Sequence, residues 1–446
     1  MVAPLKVGLA GLGTVGGAVA RLLQQQDSNA LANTLAVRCG RPIELVAVTA
    51  RAKSEMDALG IRPVRFVSSP AALATDPEID AFVELMGGEG DPAKSAIEAA
   101  LGAGKSVVTA NKALLARHGV ALAALAERSG CALNFEAAVA GAIPVVKTLR
   151  EGFAGNTFER VYGILNGTCN YILSRMEGEK LSFADCLREA QKLGYAEADP
   201  TFDVEGFDTA QKLAILASLA FGVQVDPDAV YVEGISSLAP EDLEAAAELG
   251  YRIKLLGVAV RTEQGIEQRV HPTMVPLDSP IARVMGVTNA VSLDGAGFPP
   301  ITLVGPGAGG AATASAVVTD LADIARGVRA MPFGRSVAQL AGSRRAPMQR
   351  HEGGYYIRLQ AVDRPGTFAT IARHLADEQI SLESIVQRRR NGAPHGGSDP
   401  DGAQSPAPVI LITYATTEDA VRKALREIKN RGVIAGNPQV IRIEKN

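Results

Sequence analysis

The chain has 446 residues, and its 45 basic and 48 acidic residues leave a formal net charge of −3. At roughly 150 residues per domain the length accommodates about three domains, while the balanced charge offers no basic field and excludes a dedicated nucleic-acid binder. Hydrophobic residues at 47% and charged residues at 21% exclude a disordered chain.

No run of about 18 uninterrupted apolar residues exists to span a membrane. The opening run MVAPLKVGLAGLGTVG has no basic n-region or cleavage site and reads as a strand rather than a signal peptide. None of Cys39, Cys131, Cys169 and Cys186 stands in a C-x-x-C pair. A disulfide framework or structural zinc site is therefore not expected, and a reducing cytoplasm is.

In chain order, residues 5–10 are a buried-strand pattern, 16–26 have helical periodicity, and 43–49 and 81–85 read as strands. A helix over 94–102, a strand over 106–109, a helix to about 128 and a strand over 132–136 follow. Alternating strand and helix predicts a parallel sheet covered on both faces, an α/β domain over residues 1–143. From 144 to 330 the order changes to α+β. It has a strand over 161–165, a helix beginning at 170–176, and a long apolar helix over 209–221. Strands follow within 251–304, separated by turn signals at His271-Pro272 and Phe298-Pro299-Pro300, and a last helix ends near Gly327. Residues 331–353 lose periodicity and read as a linker. Residues 354–446 follow a β-α-β-β-α-β order, which is ferredoxin-like. Its strands are expected at 355–362, 382–389, 409–413 and 439–444, its helices at 367–378 and 418–429, with a long hairpin tip at 391–408.

Gly11-Leu12-Gly13-Thr14-Val15-Gly16 fits G-x-G-x-x-G between a strand and a helix, the context in which the pattern signals dinucleotide binding. Gly11 permits the tight turn, Gly13 admits a pyrophosphate close to the backbone, and Gly16 lets the helix pack on the sheet. A glycine-rich turn without ligand is the bland alternative. At the end of the second strand, where an NAD site usually places a carboxylate, this chain has Arg51 and Lys53. A guanidinium grips a 2′-phosphate that a carboxylate would repel, so NADP is expected ahead of NAD, unless both cations are simply solvated.

Lys112 follows the strand at 106–109, at the sheet edge where ligands bind. The stretch from Gly194 to Lys212 holds five acids in a loop running into the apolar helix. Asp208 and Lys212 are i and i+4, so they share a helix face. Spacing alone leaves two readings open: a modest exposed ion pair, or a lysine steered by carboxylates against apolar surface as a positioned proton donor. A second glycine turn, Gly307-Ala308-Gly309-Gly310, opens another helix that suits an anion or a plain helix start equally well.

Taken together, the glycine fingerprint, Thr109-Ala110-Asn111-Lys112, Asn166-Gly167-Thr168-Cys169-Asn170-Tyr171, the acidic stretch and the second glycine turn resemble homoserine dehydrogenase. That family reduces L-aspartate 4-semialdehyde to L-homoserine with a nicotinamide cofactor, on the branch toward threonine, isoleucine and methionine. The chain looks like the monofunctional form rather than a fusion with aspartokinase. By resemblance, Lys212 is the proton donor, Lys112 lies near nicotinamide and substrate, and Asp208 and Glu197 bind substrate with Asp203, Tyr195, Gly167 and Thr168. Thr14 and Val15 join the glycines at the cofactor, and Gly309 reaches it from the second domain. The stretch after Glu136 resembles a loop that binds sodium through backbone carbonyls, implying Glu136, Val139, Gly141 and Ile143 as ligands. The C-terminal unit resembles an ACT domain with Asp363-Arg364-Pro365-Gly366 at its first turn, implying threonine as an effector or, alternatively, a dimerisation module that binds nothing. A homodimer or homotetramer is implied, with no nucleic-acid or membrane partner. Two rivals differ in chemistry: a semialdehyde dehydrogenase using Cys169 as nucleophile, and a non-catalytic amino-acid sensor.

Overall fold

Residues 2–25, 30–342, 346, 351–387 and 406–444 are described by the computed structural model. Six parallel strands form the first sheet, in the order Arg65–Phe66, Ile43–Thr49, Leu5–Ala10, Ala81–Glu84, Ser106–Thr109, Leu133–Asn134. Leu5–Ala10 pairs with Ile43–Thr49 on one side and Ala81–Glu84 on the other, so the chain switches direction of winding there. In open α/β sheets that crevice, at the carboxyl ends of the strands, is where ligands bind. The sheet's centre is apolar, with Val7, Leu9, Val48, Phe82, Val83, Val107 and Val108 fully buried, because helices cover both faces. The strand expected over 132–136 is cut to Leu133–Asn134, since the chain turns at Glu136 into a short 3₁₀ segment, Glu136–Ala138.

Strands Phe298–Pro306, Thr288–Gly295, Phe158–Ile164, Tyr251–Thr262 and Gly265–Pro276 lie side by side in a second sheet. Helix Phe207–Phe221 packs on it and is buried along most of its length. The two expected proline turns in this region are overturned. Pro272 lies inside Gly265–Pro276, between the residues that pair with Tyr231–Val232 and those that pair with the C-terminal strand. Pro299 and Pro300 lie in Phe298–Pro306, which is the sheet's outermost strand, and an edge strand tolerates proline.

The same sheet continues into the C-terminal unit, where Ile434–Ile443, Glu352–Ala361, Ala407–Thr413 and Leu382–Gln387 follow in order. Helices Thr367–Asp377 and Glu418–Asn430 complete the β-α-β-β-α-β sequence. Most of the hairpin tip expected at 391–408 lies outside the described residues. Sheet continuity comes from parallel pairing of Thr273 with Arg442 and Met274 with Ile443. Buried charges lock the seam. Arg442 bonds Glu233 and Glu418, and Arg269 bonds Glu267 and Glu444. Before the seam, residues 331–342 cross the surface with Phe333 fully buried against Phe135, and Glu127 accepts from Ser336 and the Val337 amide. Among the described residues no helix is long and apolar enough to cross a membrane.

Candidate active site

The cofactor cleft opens at the switch point. A cavity of about 600 Å³ is lined by Gly11–Gly13 from the first strand's end, Thr49–Arg51 from the second's, and Leu85–Gly87 after the fourth. Gly11 has φ 93°, and a Cβ there would sit 2.5 Å from the Leu85 carbonyl oxygen, so only glycine fits. A Cβ on Gly16 would collide with the Gly11 carbonyl, whereas Gly13 faces open space. The three glycines thus divide into one turn, one tight helix seat and one bare approach to the cleft, as a pyrophosphate site needs. Gly309, φ 111°, is also open, and the next residue, Gly310, abuts Thr14. The second glycine turn therefore meets the start of the first helix.

Arg51 lines the cleft, while Lys53 opens an exposed helix, Lys53–Ala58, and is not among the lining residues. Glu55, which sequence reasoning passed over, lines the cleft beside Arg51. Glu84 was missed as well. Fully buried, its carboxylate accepts from the Met86 and Gly87 amides at 2.7 and 3.1 Å and from Thr109 Oγ1 at 2.6 Å. It ties the cleft's floor to the strand Ser106–Thr109, which leads to Lys112.

Asn111 continues the connection. Its Nδ2 donates to the Gly88 carbonyl at 2.7 Å, and its Oδ1 caps the helix Lys112–Ser129 through the Leu114 amide. Lys112 Nζ lies 3.2 Å from Asp208 Oδ1, and Lys212 Nζ lies 2.7 Å from Asp208 Oδ2. Lys212 also donates to the Leu165 carbonyl at 2.9 Å. Asp208 is buried, as is all but 11% of the Lys212 side chain, so the exposed ion pair is the reading that falls. Asn166 completes the cluster. Its Nδ2 bonds Asp203 Oδ1 at 2.8 Å and Asp208 Oδ2 at 3.0 Å, and its Oδ1 caps helix Gly167–Glu179. A sequence signal for it existed, an Asn directly before a helix start.

Burial pushes the Asp208 carboxyl up, but Lys212, Lys112 and the Asn166 amide outweigh it and hold it at about 2. Asp203 moves the other way, raised by burial and by the neighbouring Asp208. An ammonium has three N–H donors. Lys212 spends two on Asp208 and Leu165, leaving one for a third acceptor. Two lysines share one carboxylate here, which leaves positive charge for a developing oxyanion.

Around this cluster, Thr168 Oγ1 donates to the Tyr195 carbonyl at 2.6 Å, and the Tyr195 ring packs edge-on against Tyr171. A Cβ on Gly167 would lie 2.7 Å from the Val287 carbonyl oxygen. Glu197 is not drawn into the network. It sits on an exposed loop, and its carboxylate makes no hydrogen bond or ion pair with a described residue. Cys169 is buried, its thiol donates to the Asp203 carbonyl at 3.2 Å, and burial raises its pKa well above the ordinary thiol value. A thiol held protonated is a poor nucleophile, which counts against the thioester rival.

The loop after Glu136 packs against the second glycine turn. Gly141 has φ 57°, and the Ala142 amide donates to the Pro306 carbonyl at 3.1 Å. The Glu136 carbonyl accepts from Val139 and that of Ile143 from Val145, whereas those of Val139 and Gly141 take no backbone hydrogen bond among the described residues. Two free carbonyls beside two with a spare lone pair are compatible with a hard monovalent cation. The Glu136 side chain is occupied otherwise, accepting from the Val146 and Lys147 amides at 2.8 Å each. No group of three or more His, Cys, Asp or Glu among the described residues could hold a metal ion.

Two family models match: "Homoserine dehydrogenase" over residues 144–322 and "Homoserine dehydrogenase, NAD binding domain" over 11–136. The homoserine dehydrogenases of Pseudomonas aeruginosa and Neisseria gonorrhoeae are 44% and 43% identical, each alignment covering 99% of both chains. A crystal structure of a homoserine dehydrogenase from Thiobacillus denitrificans superposes with a TM-score of 0.90 at 43% identity, over 99% of this chain and 98% of that one. A hyperthermophilic archaeal homoserine dehydrogenase in complex with NADPH matches 72% of this chain and 97% of its own, at 26% identity and a TM-score of 0.59. Shared fold, near-complete coverage and a lysine–carboxylate cluster beside a dinucleotide cleft leave one conclusion: the chain belongs to the homoserine dehydrogenase family, NAD(P)-dependent oxidoreductases acting on a CH–OH group.

Proposed function

We propose that Lys212 is the acid that protonates the carbonyl oxygen of L-aspartate 4-semialdehyde as it becomes the hydroxyl of L-homoserine. The observation that carries this is the grip of one buried carboxylate, Asp208, on both Lys212 and Lys112. A nicotinamide dinucleotide, when bound, supplies hydride chemistry. Lys212 keeps one N–H free for the substrate oxygen, and Lys112 adds charge beside it. Asp203 and Asp208, with Glu197 from the loop above, receive the substrate ammonium. Gly167, Thr168 and Tyr195 wall the pocket. Fixing both ends of a short substrate lowers the entropic part of the barrier.

Gly11, Gly13, Thr14, Val15 and Gly16 hold the dinucleotide's pyrophosphate, and Gly309 approaches it from the other side. NADP is the preferred form, with NAD accepted. Arg51 at the cleft supports this, as does the NADPH held by the archaeal relative; Glu55 opposes it, since its carboxylate repels a 2′-phosphate. Lys53 assists from the exposed helix start. A sodium ion, held by the carbonyls of Glu136, Val139, Gly141 and Ile143, would brace the loop between the domains without entering the chemistry. The chain divides at 143 and 330, with 331–353 as connector and 354–446 as an ACT-type regulatory unit whose effector is threonine. It works in the cytoplasm as a homodimer or homotetramer, the commonest closed assemblies.

The test is direct: the purified chain is mixed with L-homoserine and either NADP or NAD, and absorbance of the reduced cofactor is followed. Turnover is expected with both, and Arg51→Ala should raise KM for NADP about tenfold or more while leaving NAD nearly unchanged. Equal losses with both cofactors would overturn the preference, and no reduction with either would overturn the activity.

A further inference from the structure

Glu84 ends the strand Ala81–Glu84 after three fully buried apolar residues, is itself fully buried, and makes no ion pair with a described residue. A carboxylate without a cation in so dry a place must be completely hydrogen-bonded. Each of its hydrogen bonds is donated to it. The Met86 and Gly87 amides reach Oε1, and the Thr109 hydroxyl reaches Oε2. Thr109 Oγ1 in turn accepts from the Asn111 amide at 3.0 Å, so its single hydrogen is directed to Glu84. Every neighbour donates, which suits a carboxylate and offers no acceptor to a carboxylic acid.

Peptide geometry carries this charge to the cleft. In a planar trans peptide the N–H and C=O point in opposite directions. Amides turned inward to Glu84 therefore turn the Leu85 and Met86 carbonyls outward. The Leu85 carbonyl oxygen faces Gly11, 2.5 Å from where a Cβ would sit. Neither carbonyl accepts a backbone hydrogen bond among the described residues, and both residues line the cleft. Two dipoles with their negative ends outward, backed by a full negative charge, give this wall one sign. Arg51 stands across the first strand from it, beyond Ile43–Thr49. A dinucleotide lies across the switch point, one half on each side of that strand. With the 2′-phosphate half at Arg51, the nicotinamide half is left beside Ala81–Glu84 and Ser106–Thr109, next to Lys112.

We propose that Glu84 is a positioning residue for hydride transfer: acting through the Leu85 and Met86 carbonyls, it makes a negative wall for the nicotinamide half of the cleft, which favours the cationic oxidised ring over the neutral reduced one. The proposal rests on the reading above that the lysine cluster is where the carbonyl is reduced. That reduction separates charge. The hydride leaves the ring with its electron pair and forms the new C–H bond, so the ring becomes positive. The carbonyl π pair moves to oxygen, which becomes negative until Lys212 protonates it. Lys212 and Lys112 answer the negative end of this separation, and Glu84 answers the positive end. Fixed charges of this kind act most strongly where water is excluded.

The experiment is calorimetric titration of the full chain with NADP⁺ and with NADPH, for the parent, Glu84→Gln and Thr109→Val. Glu84→Gln keeps the side chain's shape and removes its charge. Its Kd for NADP⁺ is expected to rise about tenfold relative to its Kd for NADPH, the effect of one unit charge acting over several Å inside a protein. Thr109→Val loosens the same loop with the charge kept, so both forms should weaken alike and their ratio stay within about twofold of the parent's. Equal losses for both forms in Glu84→Gln, or the same ratio shift in Thr109→Val, would overturn the proposal. Should Glu84→Gln not fold, the parent decides: NADPH bound more than about tenfold tighter than NADP⁺ contradicts a negative wall, and a smaller preference is the expected result. Turnover is read separately. A parent that binds both forms yet reduces no semialdehyde would overturn the reading of the lysine cluster, while the binding ratio still tests Glu84.

Discussion

Asp208 carries more of this site than any other single group. It is a buried carboxylate kept ionised by Lys212, Lys112 and Asn166 against the cost of its own burial. Its folded pKa is depressed, so its contribution to stability is full above the ordinary carboxylate range and is lost only as pH falls toward about 2. Loss of activity at moderately acid pH must therefore come from elsewhere, and Asp203 is the acid of the cluster whose carboxyl burial and Asp208 shift upward. Asp203→Asn should raise KM for the semialdehyde about tenfold with a smaller effect on kcat, and should flatten the acid limb of kcat/KM. A pH profile with an unchanged acid limb would remove Asp203 from that role. Lys212 and Asp208 were legible in the sequence because i and i+4 spacing is local. Glu84 and Asp320 were not, since the contacts that place them, Thr109 and the Glu136 amide, lie 25 and 184 residues away along the chain.

At the scale of elements, the helix Gly310–Ala325 is pinned to the end of the parallel sheet by acids. Asp320 accepts from the Glu136 amide at 2.9 Å, while its other carboxyl oxygen has no partner. Burial, then the nearby Glu136, raises the Asp320 carboxyl to about 8, and burial raises Glu136 as well. A raised acid keeps its proton in the folded state and loses it in the unfolded one. Its stabilisation is complete below the unfolded value near 4 and declines as pH rises to about 8. Asp320→Asn should therefore be more stable than the parent at pH 8, by about 1–3 kcal/mol, and no more stable at pH 4. Urea unfolding at the two pH values checks this; an equal difference at both would contradict it. Strands Leu5–Ala10, Ile43–Thr49 and Ser106–Thr109 match expectation because β-branched runs bounded by glycine or polar residues announce themselves. The helices Lys53–Ala58 and Pro70–Ala74 went unread, being too short to show a period. The turn read at His271-Pro272 failed because strand neighbours, invisible in one dimension, change at that point.

Across the whole molecule, the continuous sheet makes the C-terminal unit part of the catalytic scaffold. Its last strand pairs with Gly265–Pro276, and the seam buries charge rather than apolar surface alone. Such pairs contribute little net stability when intact, but removing one partner strands the other in a dry interior. Arg442→Ala should accordingly cost about 3 kcal/mol, read as a lower urea midpoint, because Glu233 and Glu418 lose their buried cation and keep only the half-exposed Arg422. An unchanged midpoint would show the seam to be energetically idle. No pattern in the sequence announced this seam, since its charges look like ordinary surface residues until the sheet brings them together. At the same scale, the cofactor cleft and the lysine cluster are joined through Glu84, Asn111 and Asp208, one hydrogen-bonded frame that would hold a bound dinucleotide and the two lysines in fixed relation. The most direct test is the turnover of Lys212→Ala at saturating cofactor and semialdehyde. A fall in kcat of about 10²–10⁴-fold with unchanged cofactor KM, partly restored by added ethylamine, is the predicted result; turnover near that of the parent would contradict the account.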